Sequence, residues 1–186
     1  MCYLAFICFI IGSSFSAVST QKSNDAIAAQ IKSLKADKTI TLTYDAPSNT
    51  SKIMIRADNF LDSEANKAGI QAMNFGMAFF YSGNALQTPP ETLNLTFWAL
   101  TKKPQFAAAN KWIVTLRPDA LDLGDARYAA KPGESMEYLN FKISRADLAK
   151  IAAGTGVKFR LGTADFTFTA EHIAIFKNLL AISGDH

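Results

Sequence analysis

The chain has 186 residues, 14 of them Phe, and its 19 Lys and Arg against 16 Asp and Glu leave a net charge of +3. These charges are interspersed rather than run together, which gives no electrostatic case for nucleic acid as a partner. Both Cys lie within the first eight residues and there are 2 His in all, so the remainder can form neither a disulfide nor the Cys and His set of a zinc site, and no metal or cofactor is expected.

The start reads as an export leader. Tyr3 to Ile11 is an uninterrupted apolar run, Ser13, Ser14 and Ser16 are small and polar, and Ala17 and Ser19 suit cleavage before Thr20. A basic start is missing, since no Lys or Arg precedes Lys22. The run is too short for a transmembrane helix, which needs about 20 apolar residues, and Ile7 before Cys8 argues against lipidation. These features predict a signal peptide over residues 1–19 and a single exported domain over 20–186, secreted or periplasmic, with no transmembrane span.

Behind the leader, Asn24-Asp25 is positioned to cap a short helix in which Ile27, Ile31 and Leu34 share a face. Thr39–Tyr44 and Lys52–Arg56 flank the turn residues Ala46-Pro47-Ser48-Asn49 and predict a hairpin. From Gln71 to Tyr81 one alternating set is Met73, Phe75, Met77, Phe79 and Tyr81, and the other is Ala72, Asn74, Gly76, Ala78 and Phe80. This predicts a central strand, bulky face in the core and small face closely covered by another layer. A strand over 93–100 turns Leu93, Leu95 and Phe97 inward. Another over 112–117 is stopped by Pro118, which has no amide donor.

Two short strand pieces are expected around Gly124-Asp125, then a loop over 129–134. Glu137–Ile143 places Leu139, Phe141 and Ile143 on one face and Tyr138, Asn140 and Lys142 on the other. Ser144, with Asp147 three residues on, marks the start of a short helix that carries Leu148 and Ile151 and ends at Gly154. Val157–Leu161 and Ala164–Phe168 form a hairpin around Gly162-Thr163. Thr169 caps a last helix with Glu171 in its first turn and Ile173, Phe176, Leu179 and Leu180 as its buried stripe. Gly154-Thr155-Gly156 follows a helix and precedes a strand, the reverse of a dinucleotide-binding turn.

The stretch from Tyr138-Leu139-Asn140-Phe141-Lys142-Ile143 through the short helix to Val157-Lys158-Phe159-Arg160-Leu161-Gly162 and the final helix resembles domains of uncharacterised exported bacterial proteins. The resemblance covers roughly the last 50 residues, implies strand, short helix, hairpin and helix in that order, and brings no catalytic residue with it.

Together these elements predict a β-dominated α+β domain, an antiparallel β-sandwich or curled sheet with short helices near both ends; an outer-membrane barrel is the competing architecture. For function, Trp98, Trp112, Tyr81 and Tyr138 are candidates for an exposed aromatic platform that binds a protein or carbohydrate partner. Core packing is the favoured alternative for residues on such apolar strands. Lys111, Arg117, Lys142, Lys158 and Arg160 form an outward set suited to an acidic partner. A hydrolase would rest on His172 with Glu171, Asp165 and Ser144 or Ser183, or on the carboxylates of Asp58, Asp62 and Glu64. The expectation for His172 itself is a surface position on the first turn of its helix. Asp119, Asp122 and Asp125 have the oxygen chemistry for Ca²⁺ but not the spacing of a calcium loop, and read as turn aspartates. A third function is a structural part of a cell-envelope assembly that docks through an edge strand. Asn49 and Asn94 stand in glycosylation acceptor sequences. An exposed Trp and Tyr cluster favours binding, whereas a concave pocket holding His172 with an acid favours catalysis.

Overall fold

The computed structural model describes residues 21–36, 38–57, 69–116, 118–131 and 133–184. The expected leader over 1–19, Arg117, and the carboxylates Asp58, Asp62 and Glu64 lie outside them. Strands dominate, in two large antiparallel sheets and one two-stranded pair, and these do not close into a barrel.

The larger sheet begins with the expected hairpin of β2 (Ile40–Asp45) and β3 (Thr50–Ala57). It continues through β4 (Ile70–Ser82), β6 (Thr92–Thr101), β10 (Met136–Ser144) and β9 (Arg127–Ala130), in the spatial order β2-β3-β4-β6-β10-β9. The smaller sheet has the order β12-β11-β7-β8, built from β7 (Lys111–Leu116), β8 (Asp119–Asp125), β11 (Lys158–Leu161) and β12 (Ala164–Thr167). A two-residue pair of β1 (Lys22–Ser23) and β5 (Ala85–Leu86) fastens the start of the described chain beside β4.

The two strand pieces expected around Gly124-Asp125 break instead at Ala126, since both residues lie within β8, and the pieces belong to different sheets. Ala126 is the only residue between β8 and β9, and its amide donates to the Asn110 carbonyl at 3.2 Å, so the chain changes sheet within one corner.

Three helices complete the described structure: α1 (Asn24–Ser33), α2 (Arg145–Ala153) and α3 (Ala170–Ser183). The cap of α1 is Ser23, one residue before the expected Asn24-Asp25; its hydroxyl accepts from the Ala26 amide. Asn24 is released for a different task. Its Nδ2 donates to Ser51 Oγ at 2.9 Å, the Tyr81 hydroxyl donates to its Oδ1 at 2.5 Å, and Ser51 Oγ donates to the Gly83 carbonyl at 2.7 Å. Lys22 Nζ and Gln30 Nε2 reach the carbonyls of Ile182 and Ala181 near the end of α3. Ser144 caps α2 and Thr169 caps α3, as their sequences predict. None of the helices among the described residues is long and apolar enough to cross a membrane.

Phenylalanine is abundant because it fills the layer between these parts. Phe159 on β11 stacks on Phe166 and Phe168 with centroids 5.1 and 4.3 Å away, and meets Phe97 of the larger sheet at 5.7 Å. Phe75 joins Phe97 to Phe168 and to Phe176 of α3. The inner face of the six-stranded sheet is thus covered partly by the small sheet and partly by helices. The bulky set Met73, Phe75, Met77 and Phe79 faces this core as predicted. No other layer among the described residues covers the small set as expected: with both covering parts on the inner side, it becomes the floor of a groove.

Candidate functional site

The groove lies on the outer face of the six-stranded sheet, has a volume of about 1040 Å³, and takes its lining from five strands, β3 to β9. Antiparallel register sets its side chains in rows across the sheet. Through the middle run Arg56, Gly76, Thr96, Asn140 and Arg127, each paired with the next. On one side the row is Asn74, Trp98, Tyr138 and Ala129. On the other, Met54, Ala78, Asn94 and Lys142 align, and beyond them Lys52 pairs with Phe80.

Alternation produces this composition directly. Leu95, Phe97, Leu139 and Phe141 face the core, so Asn94, Thr96, Trp98, Tyr138, Asn140 and Lys142 face out. Tyr138 is 38% and Phe80 55% exposed. Trp98 is half-buried because its six-membered ring lies against Gly76, where an added Cβ would stand 3.2 Å from the ring and from the Ile55 carbonyl oxygen. The Arg56 guanidinium sits over the same indole at 5.6 Å and Lys52 over Phe80 at 5.7 Å. Thr96 Oγ1 donates to Asn140 Oδ1 at 2.8 Å, and Asn140 Nδ2 donates to the Arg127 carbonyl, which holds the central carboxamide in place. Lys52, Arg56, Arg127 and Lys142 line the groove, and no Asp or Glu does among the described residues.

Of the four nominated aromatics, the fold brings Trp98 and Tyr138 together as directly opposed neighbours. Trp112 is excluded from any platform. At 1% exposure it packs among Phe97, Phe141 and Phe159 in the core, because its side of β7 faces the other sheet. Tyr81 follows the inward set of β4 and ends it at the Asn24 carboxamide; burial raises its hydroxyl pKa above the ordinary value, opposed by a hydrogen bond with Ser51. Phe80 and Arg56 were missed as site residues, although the alternation already put Phe80 on the small-residue face.

The expected single cationic face is divided. Lys142 lines the groove, whereas Lys111, Lys158 and Arg160 stand on the outer side of the small sheet, where Lys111 pairs with Asp122 at 2.6 Å and Arg160 with Asp165 at 2.8 Å. Asp122 is thereby committed to Lys111 and to the Gly124 amide, and that lysine's hydrogen bond is the main cause holding its carboxyl below the usual range.

His172 is not the surface histidine the sequence suggests. It is 5% exposed, lies edge-on to Phe75 and Phe168, and closes a capping box: the Thr169 amide donates to its Nδ1 at 3.2 Å while its own amide donates to Thr169 Oγ1. Burial lowers its proton affinity, and Glu171 opposes that weakly. The nominated nucleophiles are elsewhere. Ser144 Oγ serves the α2 cap, and Ser183 sits at the far end of α3, bonded to the Leu179 carbonyl and Arg145. Eleven residues of helix put Ser183 about 16 Å from His172.

One carboxylate is buried among the described residues, and it is not among the candidates the sequence offers. Glu137 is 2% exposed and accepts from Thr101 Oγ1, the Gln105 and Phe106 amides and the Tyr128 hydroxyl, at 2.7 to 3.1 Å. Its parity with Leu139 and Phe141 was a legible signal for an inward position. Desolvation, followed by the hydrogen bond to this carboxylate, raises the Tyr128 hydroxyl pKa. Glu137 anchors the 102–110 connection and does not reach the groove.

No family model, curated protein or solved structure was found to match the chain.

Proposed function

We propose that this protein is an exported, non-enzymatic binding module that holds a protein or carbohydrate partner on the outer face of its six-stranded sheet. The observation that carries the reading is the groove itself: a roughly 1040 Å³ depression in which Trp98 and Tyr138 stand side by side, with four cations among the lining residues. Aromatic rings left half-exposed on a rigid sheet, with charge of one sign around them, are what a partner's apolar surface and opposite charge require. Export is supported by the apolar run and small residues ahead of Thr20. The resemblance of the C-terminal third to exported bacterial domains agrees with it.

Catalysis through His172 has no such support, since its ring lies in the core and its Nδ1 is occupied by the Thr169 amide. A role in an envelope assembly would use the same groove or the outer strands β2 and β9.

The test compares the protein with its Trp98→Ala/Tyr138→Ala variant in capture from an envelope fraction and on a glycan array. The reading expects a partner that the variant loses while its thermal midpoint stays within a few degrees. Equal capture by both proteins would overturn it.

A further inference from the structure

We propose that two copies of this chain associate edge to edge, β2 pairing antiparallel with β2 of the second copy about a two-fold axis, so that their larger sheets run on as one. The inference is independent of the groove, which takes no lining residue from β2.

β2 is the end strand of the larger sheet, and among the described residues it pairs on one side only. An edge of this kind presents unused backbone groups, and proteins ordinarily blunt it with a short strand, a bulge, Pro or charge. The other three edges of the two large sheets show such devices. β9 and β12 have 4 residues each, while β8 carries Asp119, Asp122 and Asp125 and shifts register against β7. By contrast, Ile40-Thr41-Leu42-Thr43-Tyr44-Asp45 runs 6 residues in unbroken register with β3 and contains neither Pro nor Lys. Its β-branched and aromatic residues suit further pairing.

One bond fixes the direction of its backbone groups. The Arg56 amide donates to the Thr39 carbonyl at 3.1 Å, continuing the β2–β3 register. The groups of Thr39, Thr41 and Thr43 therefore turn toward β3, and those of Ile40, Leu42 and Tyr44 turn away from it. The Ile40 amide donates to the Ala36 carbonyl at 2.7 Å. What remains along the edge is the amides of Leu42 and Tyr44 and the carbonyls of Ile40, Leu42 and Tyr44.

A second β2 matches this set. With Leu42 opposite Leu42 of the second copy, the two residues exchange both bonds, and each Tyr44 amide donates to the Ile40 carbonyl of the other copy. Every outward amide is then used, and the Tyr44 carbonyl alone stays out, opposite the amide that Ala36 already holds. Thr41 faces Thr43 across the axis on the outer side, a cross-strand pair that supports sheets. Charge follows the same symmetry: Lys38 precedes β2 and Asp45 ends it, so antiparallel pairing brings the basic end of one copy to the acidic end of the other. Leu34, on the turn leading into β2, and Tyr44 are 36% and 47% exposed, and they too lie at opposite ends and are brought to the same two corners. An extended peptide of another protein can use the same backbone groups; the matching ends single out the second copy.

The test is sedimentation velocity of the protein from about 1 to about 300 μM, with hydrogen exchange read at the Leu42 and Tyr44 amides. The expected result is a concentration-dependent dimer whose formation slows exchange at both amides about tenfold or more. Tyr44→Pro removes one outward donor per copy and no bond to β3. Thr41→Glu/Thr43→Glu, at two exposed positions, sets like charges opposite one another across the axis. Each should weaken dimerisation about tenfold or more while the thermal transition stays cooperative. Mixing the Thr41→Glu/Thr43→Glu protein with a Thr41→Lys/Thr43→Lys protein should restore a dimer of one copy of each. A protein that is monomeric over the whole range, a dimer that both variants keep, or a dimer with unchanged exchange at Leu42 and Tyr44 would overturn the inference.

Discussion

Replacing Trp112 by Ala removes the ring around which Phe97, Phe141 and Phe159 pack, and a change of this kind costs about 3–5 kcal/mol. Trp98→Ala opens onto solvent instead, and should cost about 1 kcal/mol while abolishing partner binding. Urea denaturation of both variants checks the pair. A cost for Trp98→Ala as large as that for Trp112→Ala would mean that the indole is structural. Sequence alternation placed Trp98 outward, because Phe97 is so plainly inward. It could not place Trp112, whose neighbour Ile113 is equally apolar, so either face of β7 could have been the buried one.

His172 supports a pH prediction at the same scale. Burial holds its folded pKa below the ordinary value near 6.5, so below that pH the unfolded chain binds more protons than the folded one. Stability contributed by neutral His172 is therefore complete above about pH 6.5, declines as pH falls toward the folded pKa, and is constant below it. Thermal midpoints should drop between about pH 7 and pH 5, and His172→Gln should flatten that slope. An unchanged slope in the variant would assign the dependence elsewhere. Carboxylates held low by cations, among them Asp147 by Lys150 and Asp165 by Arg160, lose their contribution only as pH falls below about 4. The sequence did not disclose the burial of His172 because a helix's first turn has both a wet and a dry side, and the capping role it takes is usually given to Glu or Gln.

At the level of elements, β10 carries two opposed tasks on its alternating faces. Its outward residues furnish Tyr138, Asn140 and Lys142 to the groove, and its inward Glu137 ties down the 102–110 connection. Glu137→Ala orphans the Gln105 and Phe106 amides and should cost about 3 kcal/mol. Hydrogen exchange at those two amides should accelerate well before global unfolding; protection equal to the parent's would show that the carboxylate is dispensable. Charged residues read as surface residues from sequence, and here four hydrogen bonds outweigh that tendency.

Gly76 is the corresponding feature of β4. Gly76→Val would push its side chain into the Trp98 ring and the Ile55 carbonyl, displacing the indole and the Arg56 above it. Partner affinity should fall about tenfold or more, with a shift in tryptophan emission. An unaltered emission spectrum and affinity would mean that the ring's position is unimportant. Strand hairpins, caps and the bulky face of β4 were legible because each depends on neighbours in sequence. The fate of its small face depends on how the chain turns at Ala126 and on which side α1 and α3 dock, which local pattern does not encode.

For the whole molecule, one structural fact organises the rest. Both the small sheet and the helices cover the same side of the six-stranded sheet, and among the described residues the other side is left open between rows of side chains from five strands. A Phe-rich core holds that arrangement without a disulfide among residues 20–186. The open face is then free to carry half-exposed aromatics and several cations that a core-forming surface would not tolerate.

Fluorescence can test the claim that this face receives the partner, because the chain has 2 tryptophans and only Trp98 lines the groove. A Trp112→Phe protein, checked for a cooperative thermal transition, leaves Trp98 as the sole reporter. Titrated with the partner captured from the envelope fraction, it should show a saturable change in emission that vanishes when Tyr138 is also replaced by Ala. Binding of the same partner, measured by calorimetry, with no change in Trp98 emission would place it elsewhere on the molecule.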